Sequence, residues 1–136
     1  MKTVFADTGY WLALVNPDDD LHQKAREVTE NLSPFKVITS QMVFVECLNA
    51  FSTKGSWFKQ SIIQLIQRSR NNPDIIIYPQ TQELFTSAFD LYQNRLDKQW
   101  SLTDCSSFSI MQQQKIVEAL AHDRHFAQAG FIPLLR

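Results

Sequence analysis

Residues 100–126, WSLTDCSSFSIMQQQKIVEALAHDRHF, hold the elements around which the rest of the chain is expected to assemble. Asp104 opens a helical run in this stretch, and residues 116–121 form a short, apolar, β-prone run that predicts a buried strand. Asp123 lies two residues beyond the end of that strand. Because α/β domains build their sites in the loops at the carboxyl ends of parallel strands, both acids are candidates for a functional site.

The length and composition of the chain are those of an ordinary globular protein. Its 136 residues, 44% of them hydrophobic, suffice for one domain with its own core, which we expect to span residues 1–136. A net charge of −1 argues against a strongly basic nucleic-acid-binding surface, but it allows a local basic rim around an acidic pocket. No apolar run approaches the roughly 18 residues that a membrane span needs.

The first residues, MKTVFADTGYWLALV, are similar to a signal peptide only in their apolar character. Asp7 interrupts the apolar region and no small-residue cleavage site follows, so this stretch is expected to be part of the fold. The two cysteines, Cys47 and Cys105, lack the spacing of a metal site or a disulfide framework. We therefore expect free thiols and a reducing, cytoplasmic location.

Strand-like and helix-like segments alternate along the whole chain. The predicted strands are 3–6, 35–39, 75–78, 116–121 and 131–135. The predicted helices are 10–15, 19–32 with Asp19 or Asp20 as the cap, 40–51 with Thr39 or Ser40 as the cap, 57–70, 81–96, one that begins at Asp104, and 122–128. Such alternation predicts an α/β fold whose mainly parallel sheet has helices on both faces.

Two segments also carry predictions about burial. Ile75–Tyr78 is apolar throughout, as expected for a strand in a sheet that is covered on both faces. The helix over 81–96 is expected to turn Leu84, Phe85, Ala88, Leu91 and Tyr92 toward the core.

Four acids occupy positions that suit a shared site. Asp7 ends the first strand, Asp104 and Asp123 lie on either side of the fourth, and Glu46 lies within the apolar helical segment VFVECLNAF. A charge within such a segment costs free energy unless another group compensates it. The alternative for each aspartate is that it caps the following helix, and the alternative for Glu46 is that it lies on the solvent-facing side.

Taken together, the four positions predict a metal site. A parallel sheet brings the carboxyl ends of its strands to one edge, so these carboxylates are expected to meet there. Carboxylates in close proximity repel one another unless some are protonated or a cation is present. Mg²⁺ and Mn²⁺ prefer oxygen ligands, which suits a set made of Asp7, Glu46, Asp104 and Asp123.

The residues around these acids resemble a known family. Four blocks carry the resemblance: FADTGYWLALVNPDD at 5–19, QMVFVECLNAF at 41–51, WSLTDCSSFSIM at 100–111 and ALAHDRHFAQAGFIPLL at 119–135. In order and spacing they resemble the PIN domain, in particular the VapC-like ribonuclease toxins of VapBC toxin–antitoxin pairs. The resemblance implies a PIN-like three-layer α/β/α sandwich with about five mainly parallel strands. It also implies endoribonuclease activity that depends on Mg²⁺ or Mn²⁺.

The resemblance further implies a role for individual residues. The family's catalytic and metal-binding acids fall, in order, on Asp7, Glu46, Asp104 and Asp123. Its hydroxyl beside the third acid falls on Thr103 or on Ser101. Toxins of this kind often carry Thr or Asn two residues before the fourth acid, whereas this chain has Ala121 there. A polar group that would support Asp123 or the substrate is therefore absent from that position.

The chemistry expected from such a set is hydrolysis of a phosphodiester. One or two bound ions make water a better nucleophile and neutralise charge on the phosphoryl oxygens. The hydroxyls of Thr8 and Thr103 are expected to orient carboxylates or phosphate. His122 and His125 flank Asp123, but we assign them structural or surface roles because the metal can supply the base.

Binding of RNA beside an acidic pocket requires positive charge. The candidates are Lys54, Lys59, Arg95, Lys98 and Arg124. Arg124 and Lys54 are the first choices because they lie closest in sequence to Asp123 and Glu46, and the alternative for each is a solvated surface charge. Packing is the favoured role of Trp11, Trp57 and Trp100. The expected substrate is a single-stranded RNA or an exposed RNA loop, in which the bases are accessible.

Residues 57–66 carry more apolar side chains than one short helix needs for packing, among them Phe58, Ile62 and Ile63. This surplus is interpreted as a homodimer face or an antitoxin groove, with plain core packing as the alternative. The family resemblance implies both a homodimer and a small antitoxin protein.

Other functions agree with only part of the sequence. A phospho-aspartyl phosphatase requires Asp-x-Asp after its first strand, where this chain has Asp7, Thr8 and Gly9. A receiver domain requires a lysine late in the chain, and no lysine follows Lys115. A non-catalytic PIN-like module that binds RNA or protein is disfavoured because all four acids are present. A PIN nuclease without an antitoxin stays an open alternative.

Overall fold

The computed structural model describes residues 1–136, which form five strands and seven helices. In chain order they are β1 (Lys2–Ala6), α1 (Thr8–Val15), α2 (His22–Leu32), β2 (Phe35–Ser40), α3 (Gln41–Phe51), α4 (Ser56–Arg70), β3 (Ile75–Tyr78), α5 (Gln82–Asn94), α6 (Leu102–Gln113), β4 (Glu118–Leu120), α7 (Arg124–Gln128) and β5 (Ile132–Pro133). No helix combines the length and the apolar character that crossing a membrane requires.

The five strands form one parallel sheet in the order β3-β2-β1-β4-β5. The connections run outward from β1 to β3, then cross back to β4 on the other side of β1. Because parallel crossovers are right-handed, this reversal places α1 to α4 on one face and α5 to α7 on the other. The packing agrees, since α1 contacts α2, α3 and α4, whereas α6 packs chiefly against α5 and also contacts α7 and, to a similar extent, α3. The predicted three-layer α/β/α fold is confirmed.

The core lies on both sides of the sheet. Phe5 in β1 and Ile110 and Met111 in α6 are fully buried. The Phe108 ring packs edge-on against Phe126 and Trp100, at centroid distances of 5.0 and 5.1 Å, which fixes α6 against α7. Helix α6 is therefore held firmly at the end where it begins, close to Asp104.

The two cysteines are free thiols and both are buried, as predicted. Burial is the main cause that raises the pKa of Cys105 to about 11, and it also raises the pKa of Cys47. Thiols with such pKa values stay protonated and are poor nucleophiles at neutral pH. Neither cysteine therefore competes with the acids as a reactive group.

The prediction that Ile75–Tyr78 is covered on both faces is wrong. The bounds of the strand are as predicted, but β3 is an edge strand and Ile76 is 51% exposed. An uninterrupted apolar run indicates a strand, but it does not say whether a neighbouring strand or helix covers it.

Two further predictions need correction. Phe85 and Tyr92 in α5 are 46% and 47% exposed, whereas Leu84 and Ala88 are buried as expected. Because neighbouring positions on a helix point about 100° apart, only one edge of the predicted apolar stripe reaches the sheet. Neither Asp19 nor Asp20 caps α2, which begins at His22 with Leu21 at the N-cap position. The carboxylate of Asp19 instead accepts the N–H of Leu21 in the preceding turn at 2.8 Å.

Candidate active site

The carboxyl ends of β1 and β4 form a crevice where the order of the sheet reverses. Such a switch point is where open α/β sheets bind their ligands. Asp7 follows directly after β1, and its backbone N–H donates to the carbonyl of Leu120 at 3.1 Å, which joins the ends of the two strands. Asp123 follows β4 by three residues and lies on the same edge.

The surroundings of Asp7 raise the pKa of its carboxyl from the ordinary 3.8 to about 7. Burial is the main cause, because it disfavours the charged form, and the backbone N–H of Thr8 acts in the opposite direction. The negative charges of Asp104, Glu46 and Asp123 raise this pKa further. The structure thus brings Glu46, Asp104 and Asp123 close enough to Asp7 for their charges to act on it. We call these four residues the acid centre.

Glu46 reaches the acid centre from α3. This helix begins where the Ser40 hydroxyl accepts the N–H of Val43 at 3.1 Å, which is one of the two caps that the sequence predicts. Glu46 is only partly exposed, and its Oε1 accepts the hydroxyl of Thr8 at 2.6 Å. This charge-assisted hydrogen bond compensates a carboxylate in an otherwise apolar helix. The hydroxyl of Thr8 therefore fixes the orientation of Glu46.

Asp104 lies in the first turn of α6. Its carboxylate stabilises that helix and also belongs to the acid centre. The Ser101 hydroxyl accepts the N–H of Asp104 at 3.0 Å, and Asp104 Oδ2 accepts the N–H of Ser101 at 3.1 Å. In this reciprocal capping box Ser101 is the N-cap and Asp104 is the third residue of the helix, so the alternative that Asp104 itself caps α6, and the prediction that the helix begins there, are wrong. The same Oδ2 also contacts Nδ1 of His125 at 2.9 Å. Its capping bonds hold the carboxylate in a single orientation.

The hydroxyl beside the third acid is that of Ser101. Thr103 is buried in α6, and its side chain forms no hydrogen bond with any carboxylate. The family resemblance implied Thr103 or Ser101 for this hydroxyl. The capping geometry selects the residue at the N-cap, which is Ser101.

His125 is the residue of the site that sequence reasoning missed. Its Nδ1 lies 2.9 Å from Asp104 Oδ2 and 3.3 Å from Asp123 Oδ1, and only 17% of its side chain is exposed. Ligand atoms of Asp104, Asp123 and His125 all lie within 4.8 Å of one another. The signal in the sequence was the position of His125, two residues after Asp123. Because Asp123 caps α7, this spacing places both side chains at the amino end of that helix.

Asp123 caps the short helix α7, since its Oδ1 accepts the backbone N–H of His125 at 2.9 Å. The side chain of Asp123 is 45% exposed, so Asp123 is the more exposed of the two acids that contact His125. Ala121, two residues before it, is fully buried and offers no polar side chain. Support for Asp123 comes instead from His125, two residues after it.

The donor set fits a hard divalent cation. Asp104 and Asp123 supply carboxylate oxygens that suit Mg²⁺ or Mn²⁺, and an imidazole nitrogen of His125 lies within 4.8 Å of their ligand atoms. Burial is the main cause of the raised pKa of Asp7, and the negative charges of the other acids, which a cation would relieve, add to it. The acid centre is therefore chemically suited to hold one or two such ions.

The two basic residues that were first choices for RNA binding lie in different places. Arg124 is exposed at the start of α7, next to Asp123 and His125. Lys54 is exposed in the turn between α3 and α4, eight residues after Glu46, which is roughly 12 Å along a helix axis. Neither cation forms a salt bridge with an acid. Arg124 is thus the one that its position links to the acid centre.

Comparison with known proteins supplies the family. The PIN domain matches residues 4–132 of this chain. The 23S rRNA-specific endonuclease VapC20 of Mycobacterium tuberculosis, from strains CDC 1551 / Oshkosh and ATCC 25618 / H37Rv, is 26% identical over 129 residues, which cover 95% of this chain and 95% of the relative. The crystal structure of Mycobacterium tuberculosis VapC20, a Sarcin-Ricin loop cleaving toxin, is similar with a TM-score of 0.85 and 25% identity, over 95% of this chain and 96% of that one. The chain belongs to the PIN domain family.

Proposed function

We propose that this protein is an endoribonuclease that uses a divalent metal ion to hydrolyse RNA phosphodiesters, and that it is the toxin of a toxin–antitoxin pair. The observation that carries the proposal is the gathering of Asp7, Glu46, Asp104 and Asp123 at the switch point of the sheet. Membership of the PIN family supports it, as does similarity to relatives named for cleavage of 23S rRNA. One domain over residues 1–136 carries the activity.

In this proposal Asp7 and Asp104 are the main metal ligands, and Glu46 and Asp123 complete the set directly or through water. A divalent ion held by these residues supplies a Lewis acid that activates water and offsets charge on the phosphoryl group. The ion is Mg²⁺ or Mn²⁺, because both accept a set dominated by carboxylate oxygens.

The remaining polar residues hold the acids in place. Thr8 orients Glu46 through its hydroxyl, and His125 orients Asp104 through Oδ2. Residues that orient metal ligands in this way contribute to activity although they do not react themselves. The orienting role predicted for Thr103 passes to Ser101, which contacts the backbone of Asp104.

The substrate is a single-stranded RNA or an exposed RNA loop. The relative with a solved structure is named as a Sarcin-Ricin loop cleaving toxin. Arg124 lies beside the acid centre and is suited to a phosphate contact. The phosphate contact predicted for Lys54 stays a prediction.

Two protein partners follow from the toxin assignment. One is a small antitoxin and the other is a second copy of the chain in a homodimer. Trp57 and Ile63 in α4 are 58% and 42% exposed, whereas Ile62 is buried, so the apolar surplus of this helix is only partly used by the core. Exposed apolar side chains of this kind suit a partner surface. We place the protein in the cytoplasm, where its RNA substrate is found.

The direct test is cleavage by the purified protein. Mixed RNAs are incubated with Mg²⁺ or Mn²⁺, with excess EDTA, and with EDTA followed by excess Mn²⁺, beside the Asp104→Asn variant. We expect cleavage that EDTA abolishes, that Mn²⁺ restores, and that Asp104→Asn lacks. Equal cleavage by the variant would place the activity elsewhere, and no cleavage by the wild type would favour a non-catalytic PIN-like module.

The toxin assignment has its own test in cells. Induced expression in a bacterial host is expected to arrest growth, and the Asp7→Asn variant is expected to allow growth at the same protein level. Growth arrest by both forms would show that toxicity does not depend on the acid centre. Cleavage in vitro without arrest would favour a PIN nuclease that has no antitoxin.

A further inference from the structure

A polar cleft borders the acid centre on the side of α7. Its volume is about 200 Å³, and its lining residues, none of them hydrophobic, are Asp97, Lys98, Gln99, Arg124, His125 and Gln128. His125 belongs to both regions, since its Nδ1 contacts Asp104 and Asp123. A molecule that occupies the cleft is therefore a direct neighbour of the acids.

One wall of the cleft is the loop that joins α5 to α6, and several contacts brace it. The guanidinium of Arg95 forms a forked pair with the carboxylate of Asp97, at 3.0 and 3.1 Å. The same guanidinium lies 5.0 Å from the centre of the Trp100 ring, and Trp100 is buried against Phe108. The backbone N–H of Lys98 donates to the carbonyl of Arg95 at 3.1 Å. Lys98 is thus presented by a braced turn rather than by a free loop.

The charge of the cleft is positive once these pairs are taken into account. Arg95 offsets the charge of Asp97 and lowers the pKa of its carboxyl, so Asp97 stays ionised but paired. Lys98 and Arg124 form no salt bridge with any carboxylate. Two unpaired cations therefore lie beside a group of four acids, in a protein whose net charge is −1.

A neutral donor completes the cleft. The indole N–H of Trp100 donates to Oε1 of Gln128 at 3.1 Å. Because an indole N–H can only donate, this bond fixes which end of the Gln128 amide faces the tryptophan. The amide NH₂ is left to donate elsewhere. Like the two cations, this group offers hydrogen-bond donors, which phosphate oxygens accept.

We propose that this cleft binds a phosphate of the RNA strand next to the phosphate that is cut, through Lys98, Arg124 and the amide of Gln128. The inference rests on the proposed function and deepens it, because it names the part of the protein that orients the strand. Lys98 and Arg124 are positioning residues: they hold the strand so that one phosphodiester lies over the acids. Lys54, in the exposed turn after α3, is not part of this subsite.

The test measures binding and cleavage separately. Binding of a 5′-fluorescein-labelled oligouridine RNA is followed by anisotropy in the cleavage-deficient Asp7→Asn background, with and without Lys98→Gln and Arg124→Gln together. We expect the double change to raise Kd about tenfold near 0.1 M salt. We also expect the slope of log Kd against log salt to fall by about 0.7, because the cleft neutralises one phosphate and each phosphate contact on a single strand contributes about 0.7.

The matched control removes two cations elsewhere. Lys36→Gln and Arg68→Gln change the net charge by the same amount, and both residues are exposed, in β2 near its amino end and in α4. The control is expected to leave Kd within about twofold of the parent and to leave the salt slope unchanged. Equal Kd values for the cleft variant and the control, or no measurable binding by the parent, would overturn the proposal.

Cleavage kinetics distinguish this inference from the proposed function. In the otherwise wild-type protein, Lys98→Gln with Arg124→Gln is expected to raise KM for RNA about tenfold and to leave kcat nearly unchanged. Cleavage by the wild type with an unaltered KM in the variant would refute the cleft alone. Absence of cleavage by the wild type, with the binding difference intact, would refute the nuclease and keep the RNA-binding cleft.

Discussion

Helix α3 contributes to two regions of opposite character, the acid centre and an apolar groove between α3, α4 and β3. The groove has a volume of about 740 Å³ and is lined by Met42, Phe44, Val45, Leu48, Ile66, Ile75 and Ile77, with Gln41, Arg70 and Gln80 at its margins. The acid centre is polar, and hydrogen bonds from distant segments reach Glu46 and Asp104. Because successive helix positions point about 100° apart, Glu46 and its neighbour Val45 serve different regions.

The difference teaches that the size of a cavity and its chemistry are separate properties. A large apolar groove indicates a surface that another protein can cover. A carboxyl whose pKa is raised by burial and by neighbouring carboxylates, as at Asp7, indicates a place where a cation or a reaction is stabilised. In this protein the larger cavity lies away from the acids, so cavity size alone would have pointed to the wrong region for catalysis.

The largest expected effect contrasts one residue from each region. Asp7→Asn is expected to lower kcat/KM on the order of a thousandfold, because it removes a proposed metal ligand and the charge stabilisation that the bound ion would supply. Leu48→Ser, in the groove, is expected to change kcat/KM less than about twofold, because it contacts neither the acids nor the RNA cleft. Comparable losses in the two variants, both folded by circular dichroism, would remove the functional distinction between the regions.

The next effect concerns stability without metal. The unfolded chain loses the proton of Asp7 near its ordinary pKa of 3.8, whereas the folded chain keeps it up to about 7. The folded state therefore binds the extra proton between these values, and the free energy of unfolding falls as pH rises through this window. The loss reaches up to about 4 kcal/mol above pH 7.

Urea unfolding in EDTA at about pH 5 and about pH 8 measures this loss, and the Asp7→Asn variant is expected to lack it. Excess Mn²⁺ at the higher pH is expected to restore the stability of the wild type and to have little effect on the variant. Parallel pH profiles for the two proteins would mean that Asp7 is not buried among like charges.

A smaller effect is expected at His125. His125→Gln removes the imidazole that contacts Asp104 and Asp123, and it is expected to lower kcat/KM about 10- to 100-fold, as loss of a group that orients a metal ligand does. His122→Gln is the matched control, because the side chain of His122 is exposed and forms no hydrogen bond. Equal activities of the two variants would return His125 to the surface role that the sequence suggested.

The smallest effect is expected at Thr8. Thr8→Val removes the hydroxyl that donates to Glu46 at 2.6 Å and is expected to lower kcat/KM about tenfold, which corresponds to one charge-assisted hydrogen bond. Thr8→Ser keeps the hydroxyl and is expected to retain most of the activity. Full activity of Thr8→Val at both low and high Mn²⁺ would show that Glu46 needs no such support.

Much of the fold was predictable because its signals are local. Runs of apolar, β-prone residues placed all five strands, and the bounds of β3 were correct to the residue. The Ser40 cap was predictable because a hydroxyl before an apolar helical segment satisfies a free N–H of that helix. The edge position of β3 and the exposure of Phe85 were not predictable, because both depend on which elements lie alongside.

The candidate site divides in the same way. The four acids could be named from their positions relative to strands and from the family resemblance. The contact of His125 with Asp104 could not, because the two residues are 21 positions apart and meet only when α6 packs beside α7. Ser101 rather than Thr103 faces Asp104 for a similar reason, since the choice depends on where the helix begins.

The sequence by itself determined the order of strands and helices and the identity of the acids at their ends, because propensity, periodicity and capping act between residues that are near in the chain. Only the tertiary structure decided that Thr8 meets Glu46 across 38 positions, and that Lys98, in the loop before α6, lies beside Arg124 at the start of α7. The physical reason is that hydrogen bonds and charge pairs form over a few ångströms of space. The sheet brings residues within that distance whatever their separation along the chain.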